Sequence, residues 1–481
     1  VFPEADAQYM PANPHKWVAS LLAAALLVCT PIAQATSLPS KQSIAITNVT
    51  IIDVEHGRSI APRTVLIDNG RIVSIEVPRT AHIPTNAQRV DGHGRFLIPG
   101  LVDMHVHLFN LSTHRPPSDW MFPLFIANGV TAVREMRGDA ETMLLVKQWR
   151  KRLDDGDLIA PRIIAAGIAV QGSSPDDARH QVDAAVDAGA DFIKVFSEVP
   201  SANWRAIMDE ARKRSLPVLG HVPAGVSLLD AAKMGQRSDE HLMQAYEACS
   251  SIESKVLEER RGLEGEALVA KRDAQEARVL AAFDPRICRR VSKALAATGQ
   301  AQVPTLVLAD EDTWAASGTP SADPRWRFLR ADEHTRWQGF LAGYTADDAT
   351  LAKQRWPVAR RIVSAMHQAG VTIMAGTDSP MPGVYPGYAL HEEMALLVAS
   401  GLTPREALRS ATFAPAQFLG IAATTGSVAI GKRADLVLLE ADPSRDIRNT
   451  RRINAVVIDG RLMRRVDIDA VLEDAAKAQA R

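Results

Sequence analysis

The chain has 481 residues, enough for two or three ordinary domains or for one large barrel with additions. Hydrophobic residues make up 46% and charged residues 23%, a globular profile, and 55 Lys+Arg against 56 Asp+Glu leave no basic field for sequence-independent binding of nucleic acid. Three cysteines exclude a disulfide scaffold, a cysteine-rich zinc finger or an iron–sulfur protein.

Taken in chain order, Lys16, the apolar run at 17–30 and the small residues of Ala33-Gln34-Ala35 read as a secretory leader over residues 1–35. The run falls short of the ~20 residues that span a bilayer, so a secreted or periplasmic location without a stable membrane anchor is expected. Removal of Cys29 with the leader would leave Cys249 and Cys288 as an even pair, free to form a disulfide or to stay reduced.

Short β-branched runs with Gly and Asn turns follow in residues 36–97, and the same texture returns in 421–481. They are expected to combine into one small discontinuous β-sandwich of antiparallel strands. Residues 98–420 alternate instead. Strand-like runs at 98–108, 130–136, 161–167, 192–196, 217–222, 238–242, 303–308 and 372–378 are mostly separated by helix-like segments. Eight such units predict an α/β fold, a closed (β/α)8 TIM barrel, with no G-x-G-x-x-G to support a dinucleotide site. Two stretches exceed a minimal barrel: a helical insertion at about 245–299, and about 309–354, where Trp314, Trp326 and Trp337 suggest an elaborated loop, a lid or a packing interface.

Candidate chemistry sits at the strand ends. In Asp103-Met104-His105-Val106-His107, a strand's period of two puts both histidines on one face, where two imidazoles can share a metal ion. Lys194 stands inward between Phe192 and Phe196, where an unpaired ammonium is costly. It must be neutralised, either by a salt bridge, for instance to Asp191 or Glu198, or by carboxylation with CO2. His221, His241 and Asp378 end three further strands. His391-Glu392-Glu393 does not extend to H-E-x-x-H, because position 395 is Ala395, and no G-x-S-x-G elbow is present.

Together with GADFIKVF, AGTD, the block HEEMALLVASGLTPREALRSATFAPAQFLG and GSVAIGKRADLVLL, these motifs resemble the amidohydrolase superfamily, and within it the binuclear imidazolonepropionase-like and prolidase-like hydrolases, from about residue 44 to 465. The resemblance implies that His105, His107 and Asp378 hold the more buried of two divalent metals, that His221 and His241 hold the more exposed one, and that a CO2-derived carbamate on Lys194 bridges them. Zinc is the first expectation, with manganese, cobalt or iron compatible with the same donors. The two metals would generate a hydroxide nucleophile, with Asp378 as the catalytic proton acceptor. The implied function is hydrolysis of amide bonds in dipeptides, N-acyl amino acids or similar small amides; lactone, carbamate or phosphotriester hydrolysis at the same site and a non-catalytic binding barrel are the alternatives. Val222-Pro223 departs from the small and aromatic residues that follow the strand-five histidine in many relatives. Candidate substrate contacts are Arg134, Arg137, Gln171, Tyr385, Tyr388 and His391. A small-molecule substrate, no nucleic-acid partner and a homo-oligomer complete the expectation.

Overall fold

The computed structural model describes residues 42–109, 119–308 and 322–479. The expected leader, with Cys29, and Trp314 lie outside the described residues.

Five strands open the described chain: β1 Ile44–Asp53, β2 Arg58–Asp68, β3 Arg71–Glu76, β4 Gln88–Asp91 and β5 Phe96–Pro99. After the curled sheet described below, β13 Leu436–Leu439, β14 Ile453–Ile458 and β15 Arg461–Arg464 rejoin them in a single eight-stranded sheet, in the order β15-β14-β13-β5-β1-β2-β3, with β4 also on β1. The expected antiparallel pairing holds for β1–β2, β2–β3, β5–β13, β13–β14 and β14–β15, but β1 pairs in parallel with both β4 and β5. Alternate residues Ile44, Ile46, Ile51, Val65, Ile67, Leu436, Leu438 and Val457 share one apolar core, as the period of two requires. The Ile72 amide donates to the Lys432 carbonyl, which brings the far edge of the sheet back against the segment leading into β13. Past β15 the texture changes to a helix, Arg465–Gln479.

The middle of the chain is a curled parallel sheet flanked by helices. Its strands are β6 Leu101–Val106, β7 Val130–Glu135, β8 Arg162–Ala169, β9 Phe192–Val195, β10 Val218–Gly220, β11 Ser238–Glu240 and β12 Ala301–Val303. β6 through β10 form one parallel run, and β11 pairs with β12. The Arg237 amide bonds the Val218 carbonyl and so links β10 to β11. The predicted eighth strand is not a regular strand. Residues 372–379 make isolated bridges instead, Ile373 to Gln302 beside β12 and Ser379 to Val106 of β6. Strand after strand is buried on both sides, which is why the sequence reads as continuous apolar runs there.

The insertion at 245–299 is helical as expected, with helices Glu253–Glu259, Gly265–Ala281 and Pro285–Thr298. Over its described residues the Trp-bearing stretch is helical too, in Ala331–Gly343 and the capped Ala346–Ala369, despite its Gly, Pro and Asp content. Apolar packing outweighs that composition: Trp337 is fully buried against Tyr385, and Trp326 stacks on His334. Cys249 and Cys288, both buried, form a disulfide between the first helix after β11 and Pro285–Thr298. Among the described residues no helix is long and apolar enough to cross a membrane.

Candidate metal centre

His105 and His107 stand at the end of β6, and Asp378 faces them from the turn beside it. Asp378 Oδ1 lies 3.2 Å from His105 Nε2 and 2.7 Å from His107 Nε2. The donor atoms of all three lie within 4.8 Å of one another, close enough to share one ion. The His241 ring centroid is 4.6 Å from that of His105 and 4.9 Å from that of His221, so the four histidines form a continuous cluster.

Three of the four rings are oriented from behind. His105 Nδ1 meets Glu240 Oε2 at 2.9 Å; a carboxylate can only accept, so Nδ1 carries the proton and Nε2 presents its lone pair to Asp378's side of the cluster. His241 Nδ1 lies 2.7 Å from Thr305 Oγ1, which itself donates to the Pro304 carbonyl and therefore accepts from the ring. Ser197 Oγ is 3.0 Å from His221 Nδ1. Burial pulls the imidazoles down, His107 to about 4 and His241 to about 3, and His221 well below its usual value. All three are neutral at pH 7, the state in which imidazole binds metal.

Asp378 behaves oppositely. Burial alone would raise its carboxyl, but His105, His107 and His241 hold it well below the usual range, so it is ionised. Its turn is pinned by Asp103, which accepts from the Thr377 amide at 3.0 Å and from Thr377 Oγ1 at 2.7 Å. Asp103 thus fastens this turn to β6 rather than joining the donors.

Lys194 is fully buried, and its Nζ has no hydrogen-bond partner. Of the salt-bridge partners considered for it, Asp191 is taken by Arg150 and by the Ala166 amide. Burial draws the ammonium down to about 8. A β-carbon on Gly220, whose φ is +114°, would meet Lys194 Cδ at 2.6 Å, so only glycine lets the lysine stem pass. An orphaned, partly neutral amine beside an imidazole and carboxylate cluster fits a carboxylated bridging ligand, and the set as a whole fits divalent metal.

Backbone strain concentrates here. His241, Thr305 and Asp378 all have positive φ, at 69°, 47° and 64°. In the first case the left-handed turn breaks strand alternation, so the consecutive residues Glu240 and His241 both reach His105. Sequence reasoning missed Glu240, Asp103, Thr305 and Ser197 as supports; the one available signal was Glu240's position immediately before a candidate ligand.

The candidate substrate contacts fare unequally. Arg134 is fully buried beneath the cluster and donates to both oxygens of Glu240 at 2.9 Å and to the Met104 carbonyl, so it positions Glu240 and does not meet a substrate. His391 is also buried, with Nδ1 at 2.8 Å from Thr450 Oγ1 and Nε2 at 3.0 Å from the Asn128 carbonyl; it ties three segments together and has no nitrogen to spare. Tyr385 is sealed beneath Arg325 and Trp337, and Tyr388 stacks on Phe328. Gln171 is exposed, with its carbonyl bound by Asn203. Arg137 is half-buried with its guanidinium over Phe196, whose ring also lies 4.8 Å from Lys194 Nζ.

Over an alignment 183 residues long, covering 34% of this chain and 42% of the other protein, the chain is 30% identical to the imidazolonepropionase of Pseudomonas syringae pv. tomato, so the chain spans under half the length of the curated relatives it matches. Among solved structures, a bottromycin amidohydrolase superposes with a TM-score of 0.69 at 23% identity, over 91% of this chain and 90% of that one. A Xaa-Pro dipeptidase with methionine in its active site gives 0.62 at 19% identity, over 88% of this chain and 100% of that one. At such identities the likeness speaks for the fold alone. A family model described as the Amidohydrolase family matches residues 96–463, which take in the curled sheet and every residue of the cluster. The chain belongs to the Amidohydrolase family.

Proposed function

We propose that the chain is a metal-dependent hydrolase of amide bonds in small substrates such as dipeptides or N-acyl amino acids. The observation that carries the reading is the buried amine of Lys194 without a partner, set beside a cluster of four histidines, three of them oriented from behind, and the ionised Asp378. In this reading His105, His107 and Asp378 would hold one divalent ion and His221 and His241 a second, with carboxylated Lys194 available to both and zinc first among the candidates. When bound, the ions supply an activated water at neutral pH and polarise the scissile carbonyl.

The protein's own part follows from its geometry. Asp378, ionised and held at the centre, accepts the proton of the attacking water at Oδ and returns it to the leaving amine. Lys194 gives up a proton as its nitrogen bonds to CO2, and its site then holds an anion where a cation would be costly. The names of the structural neighbours, an amidohydrolase and an Xaa-Pro dipeptidase, support amide substrates.

The curled sheet, with residues 372–379 bridging to both β12 and β6, supports a closed (β/α)8 barrel over 98–420, and the shared sheet supports a second unit from 36–97 and 421–481. The Cys249–Cys288 disulfide supports an oxidising compartment, hence secretion or the periplasm.

The test is to strip metal, reload with zinc, cobalt or manganese in bicarbonate, and assay panels of Xaa-Pro and other dipeptides, N-acyl amino acids, lactones and phosphotriesters. Hydrolysis confined to amides is expected. Turnover of lactones or phosphotriesters alone would replace the substrate class, and no metal uptake would end the reading.

A further inference from the structure

The insertion at 245–299 reaches the candidate metal centre through one buried side chain. Arg260, only 2% exposed, follows helix Glu253–Glu259. Its Nη1 donates to the carbonyl of Ala224, three residues after His221. Its Nη2 pairs at 2.7 Å with Glu247, six residues after His241, on the helix Met243–Ala248. Its Nε donates at 2.7 Å to Gln275 Oε1, and Gln275 in turn donates to Glu259 Oε2 at 2.8 Å, which fixes the guanidinium from behind.

One planar guanidinium therefore links the segments that carry the two histidines. The Ala224 amide donates to the Ser197 carbonyl at 2.9 Å, and Ser197 Oγ contacts His221, so the carbonyl that Arg260 holds belongs to the turn that sets this ring. On the other side, Glu247 leaves the helix that begins two residues after His241, itself in a left-handed conformation that its surroundings must maintain. Two directed hydrogen bonds and an ion pair on one planar group fix distance and angle together, which an ammonium cannot do.

We propose that Arg260 is a positioning residue that sets the spacing of His221 and His241 and so the affinity of the more exposed metal position; this rests on the two-metal reading above. The insertion acts as a brace behind half of the centre. His105, His107 and Asp378 are held by Glu240, Asp103 and Thr377, none of which touches Arg260 in these bonds, so the other position is independent of it.

The test is zinc content per chain by elemental analysis after dialysis against buffered free zinc, for wild type, Arg260→Lys and Glu247→Gln, with the exposed neighbour Arg261→Ala as control. Circular dichroism checks folding, and Glu247→Gln carries the test if Arg260→Lys does not fold. The expected result is two ions in wild type and in the control. In both brace variants one ion stays at wild-type affinity and the other is weakened roughly ten- to a hundredfold, the usual effect of losing an outer-shell support. Two ions at unchanged affinity in the brace variants, or equal weakening of both, would overturn the assignment. Wild-type protein that never holds more than one ion overturns the two-metal reading and this inference with it, and is told apart because the defect is in the unmutated chain.

Discussion

Glu240 and His105 lie 2.9 Å apart at zero exposure, and Arg134, equally buried, donates to both oxygens of the same carboxylate. Burial alone would raise the Glu240 carboxyl, but Arg134 and His105 hold it well below the ordinary range, so it remains ionised and can only accept. Glu240→Gln replaces an acceptor-only carboxylate with an amide that can also donate, so the His105 tautomer is no longer fixed. Zinc affinity, measured by competition with a chromophoric chelator, is expected to fall about ten- to a hundredfold. Arg134→Met leaves the carboxylate buried and unpaired, at a cost of about 3–5 kcal/mol in denaturant unfolding of the metal-free protein. A neutral Arg134→Met would return that residue to the list of substrate contacts.

Lys194 predicts a pH dependence of metal loading. Only the unprotonated amine reacts with CO2, and with its pKa drawn down by burial to about 8, about a tenth is unprotonated at pH 7. Loading from apo protein should quicken from pH 7 to 9 and with added bicarbonate at fixed pH. In the unmodified apo protein the folded value lies below the unfolded one, so the unfolded state binds more protons between about pH 8 and 10 and stability rises with pH there. Metal uptake indifferent to bicarbonate would leave Lys194 without its carbamate.

The candidate donors at the ends of the strands were legible because a period of two puts His105 and His107 on one face and parallel strands end on the same side, where Lys194, His221 and His241 are expected to join them. Glu240 was not legible as a support, since alternation assigns it to the face opposite His241, and the left-handed turn at His241 that brings both to the centre leaves no mark on a non-glycine residue. Arg134 and His391 misled for a related reason. Closeness in sequence to a strand end suggests access to the mouth, whereas packing sent one beneath the cluster and the other into a joint between Thr450 and Asn128. The parallel pairing of β1 was equally hidden, because an apolar strand does not encode the direction of its partner.

His391 offers a clean separation of structural from substrate roles. His391→Leu keeps bulk but leaves Thr450 Oγ1 and the Asn128 carbonyl without their buried partner, at about 1–3 kcal/mol. The melting temperature should drop while KM for any amide substrate stays within twofold of wild type. A raised KM with unchanged melting would restore His391 to the substrate site.

The disulfide should matter for folding and not for chemistry. Cys249 and Cys288 are 39 residues apart, and closing a loop of that length stabilises by about 4 kcal/mol in the chain-entropy account. Both sulfurs are buried, so mild reductant should leave the folded protein intact. The double Ala variant should unfold at lower denaturant concentration yet retain metal. Two reactive thiols from Cys249 and Cys288 in denatured, unreduced protein would show that the bond does not form.

The roles of Lys194 and Asp378 divide through a paired comparison. Lys194→Ala removes the group that, in the proposed reading, would join the two ions, so it should lose metal and activity together. Asp378→Asn keeps an oxygen facing His105 and His107 but no longer accepts a proton. It should retain much of its metal while kcat on the amide substrate falls about a hundred- to ten-thousandfold. Because Asp378 is ionised far below neutrality, the wild-type rate between pH 6 and 8 should not show an inflection from this carboxylate. A metal-replete Asp378→Asn with normal turnover would move the proton acceptor elsewhere, and Glu135, buried with its carboxyl pushed up to about 8 by burial and near enough for Lys194 to act on it, is where the search would begin.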